Sequence, residues 1–138
     1  MQILQSKVNM KGCERMEINI TIPLNPVTKK NSQRIVKCGS FSKIMPSKSY
    51  VQYEKECGWY LKRMEPPIEE RCEVRCLFYM KTRRQVDLTN LLEAVDDVLV
   101  KHGILADDNS RIIVSHDGSR VLHDPEYPRT EITIKKMN

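Results

Sequence analysis

One stretch decides the fold: Asp87-Leu88-Thr89-Asn90-Leu91-Leu92-Glu93-Ala94-Val95-Asp96-Asp97-Val98-Leu99, followed by Gly103 and then by Asp107-Asp108-Asn109. Its apolar residues recur with a period near 3.6, at Leu88, Leu91, Leu92, Val95, Val98 and Leu99. This spacing predicts an amphipathic helix that buries one face. Gly103 is predicted to end the helix, because glycine readily adopts the left-handed conformation that follows many helices.

The acidic residues of this stretch lie at the start of the helix and in the turn that follows it. Helical side chains lean toward the N-terminus, so the Glu93 carboxylate is expected near Asp87 and Thr89. Asp107 and Asp108 open the connection to the apolar run 112–114. Hard divalent ions such as Mg²⁺ bind carboxylate oxygens and water, and they assist phosphodiester cleavage. The acids therefore indicate a candidate metal site.

Spacing alone leaves a structural alternative open for the same acids. Asp87 is a common type of helix N-cap, and Asn90 with Glu93 fits a capping box. The residues 107–110, Asp-Asp-Asn-Ser, also have the composition of an ordinary turn.

The rest of the chain supplies strands and one more helix around this stretch. A strand is predicted at 17–22, a hairpin at 34–38 and 41–45 around Gly39-Ser40, and a helix from Pro46 to about Arg63. Further strands are predicted at 72–80, 111–115, 119–122 and 131–134. The order favours an α+β fold, a single domain in which two main helices pack on a mixed β-sheet. Residues 1–15 show no sustained period and are predicted to form a flexible tail, with the domain at 16–138.

The decisive stretch resembles the core motif of the RusA family of Holliday junction resolvases. The family pattern reads Asp-Leu-Asp-Asn-Leu, a Lys two residues later, Asp-x-Leu, Gly and a closing Asp-Asp. This chain aligns without a gap: Asp87 opens the pattern, Asp97-Val98-Leu99 and Gly103 follow, and Asp107-Asp108 closes it. Two positions depart from it, because Thr89 replaces the second acid and Glu93 replaces the lysine.

The resemblance implies a Mg²⁺-dependent endodeoxyribonuclease, for which Mn²⁺ is a second candidate cofactor, that cuts four-way DNA junctions by paired nicks as a homodimer. By the same resemblance Asp87 and Asp108 are the principal metal ligands, assisted by Asp107. We add the hypothesis that Glu93 replaces the missing third acid as ligand and catalytic residue. The two departures keep an alternative open, a protein that binds DNA junctions and does not cleave them.

Cations surround the predicted site. The net charge is +5 and the isoelectric point is near 9.0, as suits a polyanionic partner. Two segments flank the acids with donors for phosphate oxygens, and their predicted DNA-binding residues are Lys29, Lys30, Asn31, Arg34, Arg83 and Arg84. A basic domain that binds RNA or protein is a weaker interpretation, since most aromatic residues fall on predicted core faces.

The five cysteines form an odd set without paired metal-binding spacing. We see neither a signal peptide nor an 18-residue apolar run, so a cytoplasmic protein with free thiols and no membrane partner is expected. The three histidines, 102, 116 and 123, are expected at the surface and not as metal ligands, because no carboxylate or cysteine lies beside them at metal spacing.

Overall fold

The computed structural model of the protein describes residues 2–8, 14–29 and 33–137, with side chains at 2, 16–29 and 35–137. These residues form eight strands and two helices. In chain order they are β1 (Gln2–Val8), β2 (Glu14–Ile22), β3 (Gln33–Cys38), β4 (Phe41–Pro46), α1 (Lys48–Cys57), β5 (Cys72–Met80), α2 (Leu88–Lys101), β6 (Ile113–Ser115), β7 (Arg120–His123) and β8 (Arg129–Lys136).

The main sheet has six strands in the order β1-β2-β8-β5-β6, with β7 paired to the second half of β5. The strands β1, β2, β8 and β5 pair antiparallel, whereas β6 and β7 run parallel to β5. The sheet is therefore mixed, as predicted, and β5 lies between its antiparallel and parallel parts.

Alternation along β2, β8 and β5 builds one apolar face. The registers place Ile18, Ile134 and Val74 in one row across the three strands. The next row contains Ile20, Ile132 and Cys76, and all six side chains are buried. Tyr50, Tyr53 and Cys57 of α1 and Leu91, Ala94, Val95, Val98 and Leu99 of α2 join the same core. The predicted α+β fold, with two helices packed on a mixed sheet, is confirmed.

Helix α2 ends as the sequence predicts. Gly103 has φ +77°, its N–H donates to the Val100 carbonyl at 3.1 Å, and the Ile104 N–H donates to the Leu99 carbonyl at 2.9 Å. This pair of bonds is a Schellman motif, which satisfies the last carbonyls of the helix. It turns the chain toward the acidic loop at 107–109.

Helix α1 is shorter than predicted, because it ends at Cys57 and not near Arg63. At its end, Gly58, Trp59 and Tyr60 donate to carbonyls three residues back, at 3.0–3.1 Å, which tightens the last turn. His102 approaches Gly58 so closely that a Cβ there would lie 2.7 Å from the imidazole. The packing of His102 at this turn is a tertiary contact that the helical pattern does not show.

The N-terminal region also differs from the predicted tail over residues 1–15. Gln2–Val8 forms the edge strand β1 and pairs with β2 along seven residues, and the Gln2 side-chain carbonyl accepts from the Lys62 N–H at 2.9 Å. No helix within the described part of the chain has the length and apolar character needed to cross a membrane.

Candidate active site

The first acidic residue, Asp87, lies where the loop after β5 becomes α2. It is the N-cap of the helix, with extended backbone at φ −79° and ψ 123°, but its side chain accepts no backbone capping bond. Instead, Asp87 Oδ2 accepts from the side-chain amide of Asn90 at 3.2 Å. Asn90 is buried, so the helix anchors an otherwise exposed carboxylate in a fixed direction.

The second acidic element is the loop that follows α2. Asp107 Oδ1 accepts from the Asp108 N–H at 2.7 Å, and Asp107 Oδ2 accepts from the Asn109 side-chain amide at 2.9 Å. These bonds to the anionic form, the backbone bond first, hold the pKa of the Asp107 carboxyl below its usual range. Both Asp107 oxygens are thus used to shape the loop that presents Asp108.

Asp108 lies in the field of two other acids. Desolvation raises the pKa of its carboxyl above the usual range, and the hydrogen bond with Asp107 and the charge of Asp97 act in the same direction. This is the arrangement of an anionic site that a cation would stabilise. Asp97 comes from the third turn of α2, so helix and loop meet here.

Asp97 already has one cationic neighbour. Lys29, which follows β2, places its Nζ 3.3 Å from Asp97 Oδ2. Both side chains are partly exposed, at 39% and 29%. The ion pair joins the segment after β2 to α2. It reduces the negative charge around Asp108. Lys29 is therefore paired with an acid in this structure, and its predicted contact with DNA phosphate stays a prediction.

Thr89 and Glu93 lie on the exposed side of the first turns of α2. The capping box expected from Asn90 and Glu93 is wrong, because the helix begins at Leu88 and its N-cap is Asp87. Among the described side chains, Glu93 has no hydrogen-bond or ion-pair partner. Its carboxylate is free to bind a ligand and contributes nothing to the cap.

The chemistry of these donors suits a divalent cation, but the described side chains do not form a complete set of protein ligands. Among the described side chains, at 2, 16–29 and 35–137, no group of three or more His, Cys, Asp or Glu is placed to hold a metal ion. The acids available at the site offer only oxygen atoms, which suit Mg²⁺. Asp87 and Asp108 remain the predicted ligands, and two carboxylates completed by water are a ligand set that Mg²⁺ accepts, since this ion usually keeps several waters.

The predicted DNA-binding residues divide into three groups. Arg83 and Arg84 are exposed in the loop between β5 and α2, where they line a shallow groove with Thr82 and His123. Lys30 and Asn31 lie outside the described residues, as does the side chain of Arg34. Lys29 is paired with Asp97, as above.

A family model matches most of this chain. A model of the family described as endodeoxyribonuclease RusA matches residues 23–135, which contain both acidic elements and the cationic loop. The chain belongs to the RusA endodeoxyribonuclease family. RusA membership makes the chain a nuclease of the kind that acts on junction DNA in recombination. No curated protein matches the sequence.

Sequence reasoning missed two features of this RusA chain. Asp97 shares a helical face with Glu93, four residues away, and that spacing was the available signal for its role beside Asp108. The other feature is His116, which is not the plain surface residue that was expected. Its Nε2 lies 2.9 Å from Asp96 Oδ2 and its Nδ1 lies 2.8 Å from the Val74 carbonyl oxygen, a long-range pairing that leaves no local pattern.

Proposed function

We propose that this chain is a Mg²⁺-dependent, structure-selective endodeoxyribonuclease that resolves four-way junctions by paired symmetric nicks. The observation that carries the proposal is the RusA family match across residues 23–135. The oxygen-only donor set at the start of α2 and in the loop after it supports it. Mn²⁺ is the second candidate cofactor.

Asp87 and Asp108 would hold the cation, and Glu93 is the proposed third acid. Mg²⁺ bound there would make a coordinated water more acidic and neutralise phosphate charge. Asn90 orients Asp87 through its 3.2 Å hydrogen bond. Asp107 orients the backbone of Asp108 through the 2.7 Å bond to its N–H, and so assists the site as a positioning residue.

Phosphate binding is assigned to the cations that flank these acids. Arg83 and Arg84 lie four and three residues before Asp87 in the chain and are exposed. We assign Lys30, Asn31 and Arg34 to the same role from the sequence. Cations are required here because the DNA phosphates would otherwise be repelled by the carboxylates.

A homodimer is part of the proposal. A four-way junction has two-fold symmetry, and two symmetric nicks require two active sites related by the same symmetry.

We place the protein in the cytoplasm, where thiols stay reduced, since Cys38, Cys57, Cys72 and Cys76 are all free.

The test is incubation of an end-labelled four-way junction with the purified protein, with Mg²⁺, with Mn²⁺ and with a chelator. We expect symmetric nicks only with a metal. Asp87→Asn and Asp108→Asn should each lower the nicking rate on the order of a hundredfold or more, while junction binding persists. Asp117→Asn, which changes an exposed acid in the turn before β7, is the matched control. Full cleavage by Asp87→Asn would overturn the assignment.

The second candidate is a junction-binding protein that does not cleave. Thr89 and Glu93, which stand where the family pattern has an acid and a lysine, favour it. Tight junction binding with no nicking in either metal, at any protein concentration tested, would establish this alternative.

A further inference from the structure

The β3–β4 hairpin is separate from the main sheet. Within the described part of the chain its strands pair with each other and with no other strand, from Gln33 with Pro46 to Cys38 with Phe41. No side chain between residues 35 and 46 is buried. An isolated two-stranded hairpin is only marginally stable in water, so this element is expected to gain stability from a binding partner.

The hairpin exposes apolar side chains that the core does not use. Ile35, Phe41 and Ile44 are 75%, 66% and 67% exposed. Ile35 and Ile44 are cross-strand partners on one face. Phe41 pairs with Cys38 beside the Gly39-Ser40 turn, and the register places it on the opposite face, which it shares with Lys43. Exposed apolar side chains clustered on one element indicate an interaction surface.

The charge of the same segment identifies the class of partner. Residues 33–49 contain the four cations Arg34, Lys37, Lys43 and Lys48 and no acidic residue. Lys37 and Lys43 are exposed and, by the register, project from opposite faces of the hairpin. A basic element with an exposed aromatic side chain, Phe41, at its tip complements a polyanion whose stacked bases can be separated.

We propose that the β3–β4 hairpin is a DNA-binding ribbon whose Phe41 stacks on a base at the branch point while Lys37 and Lys43 bind the flanking phosphates. Apolar wedges open base steps at a cost of unstacking. That cost is smallest where stacking is already interrupted, so a branch point is favoured over continuous duplex. The inference rests on the proposed action on branched DNA and names the element that recognises the branch.

The test compares the full-length protein and Phe41→Ala in binding a fluorescent four-way junction and a linear duplex of the same arm sequence, measured by anisotropy without metal. Stacking on a single base predicts that Phe41→Ala weakens junction binding by about tenfold and leaves duplex binding unchanged. With 2-aminopurine at the branch point, the unmodified protein should increase the fluorescence of this base as it is separated from its stacked neighbours. Phe41→Ala should not produce this increase. Trp59→Ala, which removes a 68% exposed aromatic from the turn after α1, is the matched control.

The paired lysine variant Lys37→Gln/Lys43→Gln separates phosphate binding from stacking. It should weaken junction and duplex binding alike and lower the salt dependence of both. Because these side chains are exposed, the thermal melting curves of all variants should overlay that of the unmodified protein.

The outcomes distinguish this inference from the proposed function. Failure of the unmodified protein to bind the junction would overturn both. Equal junction binding by the unmodified protein and Phe41→Ala would overturn only the role of the hairpin. A change of mass in light scattering for Phe41→Ala without DNA would assign the hairpin to a contact between subunits, and would also overturn it.

Discussion

At the scale of single residues, Glu93 is the position where the family pattern and this chain disagree most. It lies five residues beyond Leu88, the first residue of α2. This is too far along the helix for Glu93 to cap the N-terminus, whose N-cap is Asp87. Its substitution therefore tests ligand binding almost free of effects on folding.

We expect Glu93→Gln to weaken Mg²⁺ binding by tenfold or more, as for a lost carboxylate ligand, measured by isothermal titration calorimetry. Its free energy of unfolding should change by less than about 0.5 kcal/mol, as at other exposed sites. Glu126→Gln, an exposed acid before β8, is the control. Unaltered metal affinity and nicking in Glu93→Gln would leave Asp87 and Asp108 with water as the ligands.

His116 is the second residue with a testable role. Its two ring nitrogens face a carbonyl and a carboxylate, and both atoms are acceptors, so the imidazolium form satisfies both contacts. The hydrogen bond to Asp96 raises the pKa of His116 above its ordinary value, against the opposing effect of burial. Burial, and then the charge of Asp96, raises the pKa of the Cys72 and Cys76 thiols on β5.

Because the folded protein holds this proton more tightly than the unfolded chain, His116 stabilises the fold fully below its unfolded pKa. That contribution is lost as pH rises from about 6.5 through the raised folded value. We expect His116→Gln to lower the free energy of unfolding at pH 6 by on the order of 2 kcal/mol and by less at pH 8.5, measured by urea denaturation. His123→Gln is the control. An equal loss at both pH values would contradict the charged pair.

At the scale of elements, the end of α2 positions the acidic loop. Gly103 has φ +77°, where a Cβ is strained, and that Cβ would lie 2.9 Å from the side chain of Arg63. Gly103→Ala should cost about 1–2 kcal/mol of stability, measured by urea denaturation. Because the loop at 107–109 follows this turn, Gly103→Ala should also lower the nicking rate. The control is Ala106→Ser, which changes an exposed neighbour and should lower the nicking rate less. Stability equal to that of the unmodified protein would show that the turn adapts.

The same helix shows what the sequence could predict. Its apolar period, its glycine end and its position after β5 depend on local spacing, and all three were predicted correctly. The end of α1 depends on His102 packing against Gly58, and β1 depends on pairing with β2. The His102 contact joins residues far apart in sequence, and the β1 segment has no sustained period of its own, so local pattern indicated neither feature.

The site follows the same division. Asp87 and Asp108 stand out because motif spacing is local. The ion pair of Lys29 with Asp97 and the hydrogen bond of His116 with Asp96 arise only when strands and α2 pack together. Sequence therefore indicated which acids to consider, and the fold determines which of them lie in the field of Asp108.

At the scale of the whole molecule, the net charge of +5 makes DNA binding sensitive to salt. The logarithm of the junction association constant should fall with the logarithm of salt concentration by roughly 0.9 for each phosphate neutralised. Arg83→Gln/Arg84→Gln should therefore reduce the slope by about 1.8 in anisotropy titrations. Lys135→Gln, exposed near the end of β8, is the control, and a slope unchanged by the arginine substitutions would remove that loop from the interface.

The symmetry of the substrate leads to the last prediction. Two nicks placed symmetrically need two copies of an active site that a single chain of 16.1 kDa carries once. Light scattering at micromolar concentration should therefore report about twice the chain mass. Dimers assembled from unmodified and Asp108→Asn chains should nick only one strand of each junction, because one of the two sites lacks its ligand. Paired nicks produced by a species with the mass of one chain would contradict the dimer, and sequential cutting by independent monomers would replace it.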